Sequence, residues 1–312
     1  MKLLVTGGCG YKGSVLVPKL LSAGHQVTVV DTQWFGNYLK PHHHLSILKA
    51  DMRVPESVWF KNIDAVIHLA SVANDPCSDL SPKLSWETGP LATMQCIELA
   101  IQHGVKQFIY ASSGSVYGIN DAEKVTEDLP LNPISDYNKT KMITERVLLS
   151  YQDKITLQIV RPATVCGLSP RMRLDVSVNM MTMQALSNSM MTVFGGDQVR
   201  PNIHIDDITN LYIFLLENST IRGIYNAGFE NLSILSIAKL VRKYVDAEIK
   251  ITPSNDPRSY RICSDKLLRA GFKPKKTVEN AIQEMVSAYQ GKQLHNETRC
   301  YNLKTMQETG VA

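Results

Sequence analysis

A short apolar run, a glycine-rich turn and a second apolar run at helical spacing fill the first 21 residues, and no other feature restricts the fold as much. Residues 2–5 read as a buried strand, Thr6-Gly7-Gly8-Cys9-Gly10-Tyr11-Lys12-Gly13 as the turn, and 15–21 as the start of a helix. Gly7 and Gly10 permit backbone angles and close approaches that a Cβ forbids, and Gly13 lets helix and strand pack closely. The helix start offers unpaired N–H groups and a positive dipole end, which suit a pyrophosphate. Cys9 and Lys12 are unusual inside such a turn; Lys12 is placed with the ligand-contacting residues, but its ammonium is expected to face solvent.

The next strand, residues 26–30, is β-branched and ends in Asp31, at the distance where a dinucleotide site places its ribose carboxylate. An acid there binds a 2′-hydroxyl and repels a 2′-phosphate. Residues 32–36 hold no Arg or Lys to reverse the sign, so NAD is expected rather than NADP. Further strand-like runs at 46–50, 65–70, 107–110 and 157–160 alternate with helical patterns, notably 91–103 and 137–150. That alternation predicts an α/β fold, a Rossmann-type doubly wound parallel sheet with its ligand at the carboxyl ends of the strands. Residues 1–170 are expected to form the NAD-binding domain. Residues 171–312, where the pattern loosens, are expected to form mainly a smaller α/β substrate lobe, with some interleaving of the two.

With 312 residues, 44% hydrophobic and 20% charged, the chain can bury a large core. A formal net charge of +4 without a basic run argues against a nucleic-acid partner and fits a small anionic ligand. The six cysteines form no CxxC pair and read as reduced thiols. No secretory segment and no membrane-length apolar stretch precede or interrupt the pattern, so a cytoplasmic protein without a membrane partner is expected.

The chemistry sits beyond the fifth strand. Ser112 and Ser113 end that run, and Tyr137 and Lys141 open a later helix, four residues apart and hence on one face. A phenol titrates near ~10, so it acts as a base at neutral pH only if a cation stabilises the phenolate. Lys141 and an oxidised nicotinamide would both do so. Ser113 would hold a carbinol while Tyr137 takes its proton and hydride leaves for the nicotinamide. No metal is expected: His42-His43-His44 has no accompanying ligand pattern and reads as loop. His204 and Asp206-Asp207 read as a strand end and helix cap, the methionines between 172 and 191 as adaptable core packing, and the last dozen residues as loosely held.

Together these motifs resemble the extended short-chain dehydrogenase/reductases of the NAD-dependent epimerase/dehydratase group, which act on nucleotide-diphosphate sugars. The likeness runs from Val5 to about Pro274 through TGGCGYKG (6–13), DMR (51–53), HLAS (68–71), SSGSVYG (112–118), YNKTK (137–141), RPATVCG (161–167) and RPNIHIDD (200–207). The resemblance implies that Tyr11 and Lys12 of the turn, Asp51, Met52, Leu69, Ala70, Ser112 and Pro162 meet the cofactor, Asp51 and Met52 at the adenine and Pro162 beside the nicotinamide. It implies a sugar near Ser113 and Thr164, a diphosphate gripped by Asn179, Arg200 and Arg258, and a homodimer. Relatives that dehydrate the sugar carry acids directly after the catalytic hydroxyl, whereas Gly114 and Ser115 stand here. Thr88-Gly89-Pro90 also replaces the family's usual Asn. A 4-keto epimerase is therefore expected, ahead of a 4-dehydrogenase or ketoreductase with net redox change, and well ahead of a dehydratase or a non-catalytic NAD-binding scaffold.

Overall fold

The central runs become strands buried on both faces, as a parallel sheet requires, whereas the edge run at 45–49 stays partly exposed. A computed structural model describes residues 1–120, 122–254 and 259–311. Its strands are β1 (Lys2–Thr6), β2 (Gln26–Asp31), β3 (Leu45–Lys49), β4 (Ala65–His68), β5 (Gln107–Ala111), β6 (Thr156–Pro162), β7 (Thr164–Cys166), β8 (Met190–Phe194), β9 (Val199–His204), β10 (Gly223–Ala227), β11 (Glu230–Ser233) and β12 (Glu248–Thr252). Among the described residues, seven of them form one sheet in the order β10-β6-β5-β4-β1-β2-β3. Every pairing within it is parallel, with Leu3 opposite Val27 on one side and Ala65 on the other. The strand order reverses at β1, so the glycine turn leaves the sheet at its switch point, where a ligand crevice forms.

Two apolar clusters cover the faces of this sheet. One joins β1 and β2 to the helices Gly13–Ser22 and Ile205–Glu217 through Leu16, Leu20, Leu211 and Leu215. The other packs Ile97 and Ala100 of Ala92–Gln102 and Leu148 of Asp136–Leu149 onto Phe108 and Ile159. Strand β10 and helix Ile205–Glu217 come from beyond residue 170 yet complete the large sheet and its cover. The remaining later elements form the sheets β11-β9-β7 and β12-β8 over a separate cluster that includes Val178, Met181, Ile237 and Ile282. Met172, Met181, Met183 and Met191 are buried, whereas Met190 is exposed.

The end of the chain differs from expectation. Helix Asn302–Thr309 buries Met306 and, with Leu303, packs against Trp34, Phe35, Cys77 and Leu80. A polar residue pair also ties it down: the Asn302 amide N–H donates to Asp175 at 3.0 Å. The region before Ala92 differs too, since helical backbone runs from Pro82 through a wide turn at Glu87–Leu91, where the Ala92 N–H reaches back five residues to the Glu87 carbonyl. Among the described residues, all cysteines are free thiols, and no helix is long and apolar enough to cross a membrane.

Candidate functional site

A cleft of about 690 Å³ opens at the carboxyl ends of β1, β2, β4, β5 and β6. Its floor is the glycine turn. Gly7 has φ +70°, and a Cβ there would lie 2.7 Å from the Ala70 nitrogen; a Cβ on Gly13 would lie 2.4 Å from the Gly8 oxygen. These glycines are thus required by the approach of β4 and of the helix, not by the turn alone. Asp31 is fixed beside the turn, one carboxylate oxygen accepting from the Cys9 N–H at 2.9 Å and the other from the Gln33 N–H at 2.7 Å. Burial raises its pKa, and those two N–H groups and Arg171 oppose the rise. Asp51 is chelated by Arg53, which also reaches Glu87 at 3.0 Å. Asp51, Met52, Leu69, Ala70, Ser112 and Pro162 line the cleft with Gly7, Gly10, Tyr11 and Gly13. The Tyr11 phenol itself is buried away, donating to the Gly167 carbonyl at 2.7 Å. Glycine turn, oriented acid and apolar walls together fit a dinucleotide.

Lys12 departs from the solvent-facing expectation. It lines the cleft, with Nζ 3.5 Å from the Tyr212 hydroxyl and 5.9 Å from that ring's centre. Burial pushes its pKa down to about 8, and the nearby Arg173 guanidinium adds to the effect.

The reaction centre hangs from β5 and one helix. The Ser135 hydroxyl caps Asp136–Leu149 by accepting from the Asn138 N–H at 3.2 Å, which fixes where the first helical turn faces. Tyr137 in that turn and Lys141 one turn later both line the cleft. The Lys141 ammonium donates to the Ala111 carbonyl at 2.8 Å and stands 6.0 Å from the Tyr137 ring centre. Burial, and next repulsion by Lys12, push its pKa down to about 7. Burial raises the Tyr137 phenol; a hydrogen bond from Ser113 lowers it, Asp75 raises it and Arg173 lowers it. Arg173, which the sequence did not single out, is thus a cation acting on the phenol beside Lys141. The Ser113 hydroxyl is 2.7 Å from that of Ser115, which donates to Asn138 Oδ1 at 2.5 Å. Gly114 is closely covered, since a Cβ there would lie 2.3 Å from Ile262 Cδ1. Behind this centre Ser112 donates to Glu145 at 2.5 Å, and Glu145 pairs with Arg161 at 2.6 Å.

At the outer end, Thr164 and Arg200 line the cleft, and Arg258 lies outside the described residues. Asn179 does not fit the ligand role. It is fully buried, its oxygen accepts from the Gly167 N–H at 2.9 Å, and its nitrogen donates to the Arg173 carbonyl at 2.8 Å and the Tyr11 hydroxyl at 3.0 Å. Its amide is spent on holding the turn after β7. Sequence reasoning missed Arg171, Arg173 and residues 301–304, which also line the cleft. Arg171 lies 4.1 Å over the Phe35 ring and donates to Asn302 Oδ1 at 2.5 Å; Arg173 pairs with Asp175 at 2.8 Å. The alternation Arg171-x-Arg173-x-Asp175, directly after the strand-end motif, was a usable signal, whereas residues 301–304 carried none. His204 caps its helix by accepting from the Asp206 N–H at 3.0 Å. It also forms with Asp206 and Glu284 a cluster of possible metal ligands, but Lys276 already holds Glu284 at 2.8 Å.

Comparison with known proteins places these observations. Residues 3–228 match the model of the NAD dependent epimerase/dehydratase family. The UDP-glucuronic acid decarboxylase 1 of Danio rerio is 28% identical over 318 residues, covering 96% of this chain and 75% of that protein. A UDP-glucose 4-epimerase of Lactobacillus helveticus is 28% identical over 331 residues, covering 95% and 98%. The solved structure of a Thermus thermophilus UDP-glucose 4-epimerase complexed with NAD superposes with a TM-score of 0.82 at 25% identity, covering 93% of this chain and 99% of that one.

Proposed function

Because the chain belongs to the NAD dependent epimerase/dehydratase family, we propose that it epimerises a nucleotide-diphosphate sugar at C4 through a transient 4-keto sugar. Its cofactor is NAD. Bound NAD supplies one thing, a reversible hydride acceptor. The rest belongs to the chain. Gly7, Gly10 and Gly13 admit the pyrophosphate, Asp31 accepts the adenosine ribose hydroxyls, and Met52, Leu69 and Ala70 exclude water around the adenine half. Ser113 holds the C4 hydroxyl by a hydrogen bond, and Tyr137 takes its proton as the C4–H bond breaks, so the C4–O bond becomes a carbonyl. Tyr137 would return the same proton to the C4 oxygen once the keto sugar has turned in the cleft, completing the epimer. Lys141 holds the nicotinamide ribose side of the cleft, while Thr164, Arg200 and Arg258 are assigned to the sugar and its diphosphate.

The observation that carries this reading is the meeting of Ser113, Tyr137 and Lys141 in one cleft with the glycine turn. Gly114, in closed surroundings, and Ser115, hydrogen-bonded to Ser113, put no carboxylate directly after the catalytic hydroxyl to expel water from the sugar. That favours epimerisation over dehydration. The test is to incubate the purified protein with UDP-, GDP-, CDP- and dTDP-sugars, following NADH absorbance and products by NMR. The expected result is a C4 epimer without net NADH. Accumulating NADH with a keto sugar would replace the reading by a 4-dehydrogenase, and loss of the sugar's carboxylate by a decarboxylase. On the cofactor side, Asp31→Asn is expected to weaken NAD about tenfold to a hundredfold, the worth of a hydrogen bond to a charged group, and to narrow the preference over NADP. Calorimetric titration checks this, and unchanged affinity would remove Asp31 from the ribose.

A further inference from the structure

Lys12 is a cation that stability does not explain. Half-buried, it turns its ammonium into the cleft, where among the described residues it meets the Tyr212 hydroxyl at 3.5 Å and that ring at 5.9 Å. The charged group that acts on it is another cation, Arg173, and Lys12 in turn repels Lys141. Arg173 is paired with Asp175, whereas partial desolvation of the Lys12 ammonium costs free energy, so an uncharged side chain would hold this turn at least as firmly. What the position offers is location. Lys12 lies in the turn that receives the dinucleotide and within electrostatic reach of Lys141, whose neighbour across one helical turn is Tyr137.

A positive charge here distinguishes the two redox states of the cofactor. The oxidised nicotinamide ring carries +1 and the reduced ring is neutral, whereas the pyrophosphate is the same in both. We propose that the Lys12 ammonium tunes the bound nicotinamide, favouring the reduced over the oxidised form and so drawing hydride out of the substrate. Lys12 then serves as a tuning residue and not as a proton carrier. The inference holds whichever sugar is turned over.

The test needs no turnover. Holoprotein is equilibrated with NAD and NADH mixtures of set ratio, and the bound fraction that is reduced is read from the absorbance of the reduced ring. Separate titrations give the affinity for each form. Lys12→Met is expected to shift the NADH-to-NAD preference toward NAD by about tenfold, the effect of one charge several ångströms away at intermediate dielectric. Lys12→Arg, which keeps the charge, should retain the wild-type preference, and Lys12→Gln should follow Lys12→Met. The melting temperature of Lys12→Met should equal or exceed that of the wild type. An equal loss of affinity for both forms would overturn the proposal in favour of a pyrophosphate clamp. An unchanged preference in Lys12→Met and Lys12→Gln would overturn it outright.

Discussion

Tyr137→Phe is expected to lower kcat by roughly a thousandfold, within the range that a positioned acid–base group supplies, while the affinity for NAD stays within about threefold. In the proposed epimerisation the phenol oxygen takes and returns the C4 proton, and the remaining ring fills the same space against the cleft. Ser113 and Arg173 stay in place. They favour the phenolate in the wild type, the one by a hydrogen bond and the other by charge, but neither can accept a proton at neutral pH. An interaction made only in the transition state should lower kcat and kcat/KM together. Steady-state rates with the sugar identified in the panel, and single-turnover formation of bound NADH, measure both. Turnover within tenfold of the wild type would remove Tyr137 from the chemistry.

Arg161→Met is expected to cost about 3–5 kcal/mol, as removal of one partner of a buried ion pair does, and to lower the melting temperature by roughly 10 °C. Arg161 and Glu145 are 3% and 1% exposed, and they meet through contacts of 2.6, 3.0 and 3.2 Å. Burial alone would lower the Arg161 pKa; the Glu145 carboxylate more than reverses that. The guanidinium also donates to the Tyr117 hydroxyl at 2.7 Å, and Glu145 accepts from Ser112. Removing Arg161 strands a carboxylate directly behind the residues that carry Ser113 and Lys141. The double variant Arg161→Met/Glu145→Leu should recover a large part of the loss, because it leaves no unpaired charge. Thermal melts of the three proteins check this; a single variant melting within about 2 °C of wild type would show that the pair is not needed.

The fold was legible because its signals are local. The turn needs glycine within eight residues, each strand declares itself by a β-branched run, and parallel order follows from right-handed crossovers. Ser113, Tyr137 and Lys141 were legible for the same reason, since they hang from one strand end and the first two turns of one helix. Residues whose direction depends on distant packing were not. Lys12 turns toward Tyr212, 200 positions away in the chain, and Asn179 is consumed by backbone groups at residues 167 and 173. Thr88-Gly89-Pro90, noted only for standing where the family has its usual Asn, is passed through as helix. The wide turn at Glu87–Leu91 shifts the hydrogen-bond pattern so that the missing Pro90 N–H is not needed.

Residues 301–304 share a wall with residues 7–13 although about 290 positions separate them in the chain. Closing so long a loop is the least local event in folding, and it is rewarded only after the sheet beneath it exists. The strands can therefore pair before there is any enclosed cleft to fill. Residues 301–304 are thus expected to close the cleft late in the folding of the chain, over a glycine turn and an Asp31 that short-range pairing of β1 and β2 has already brought together.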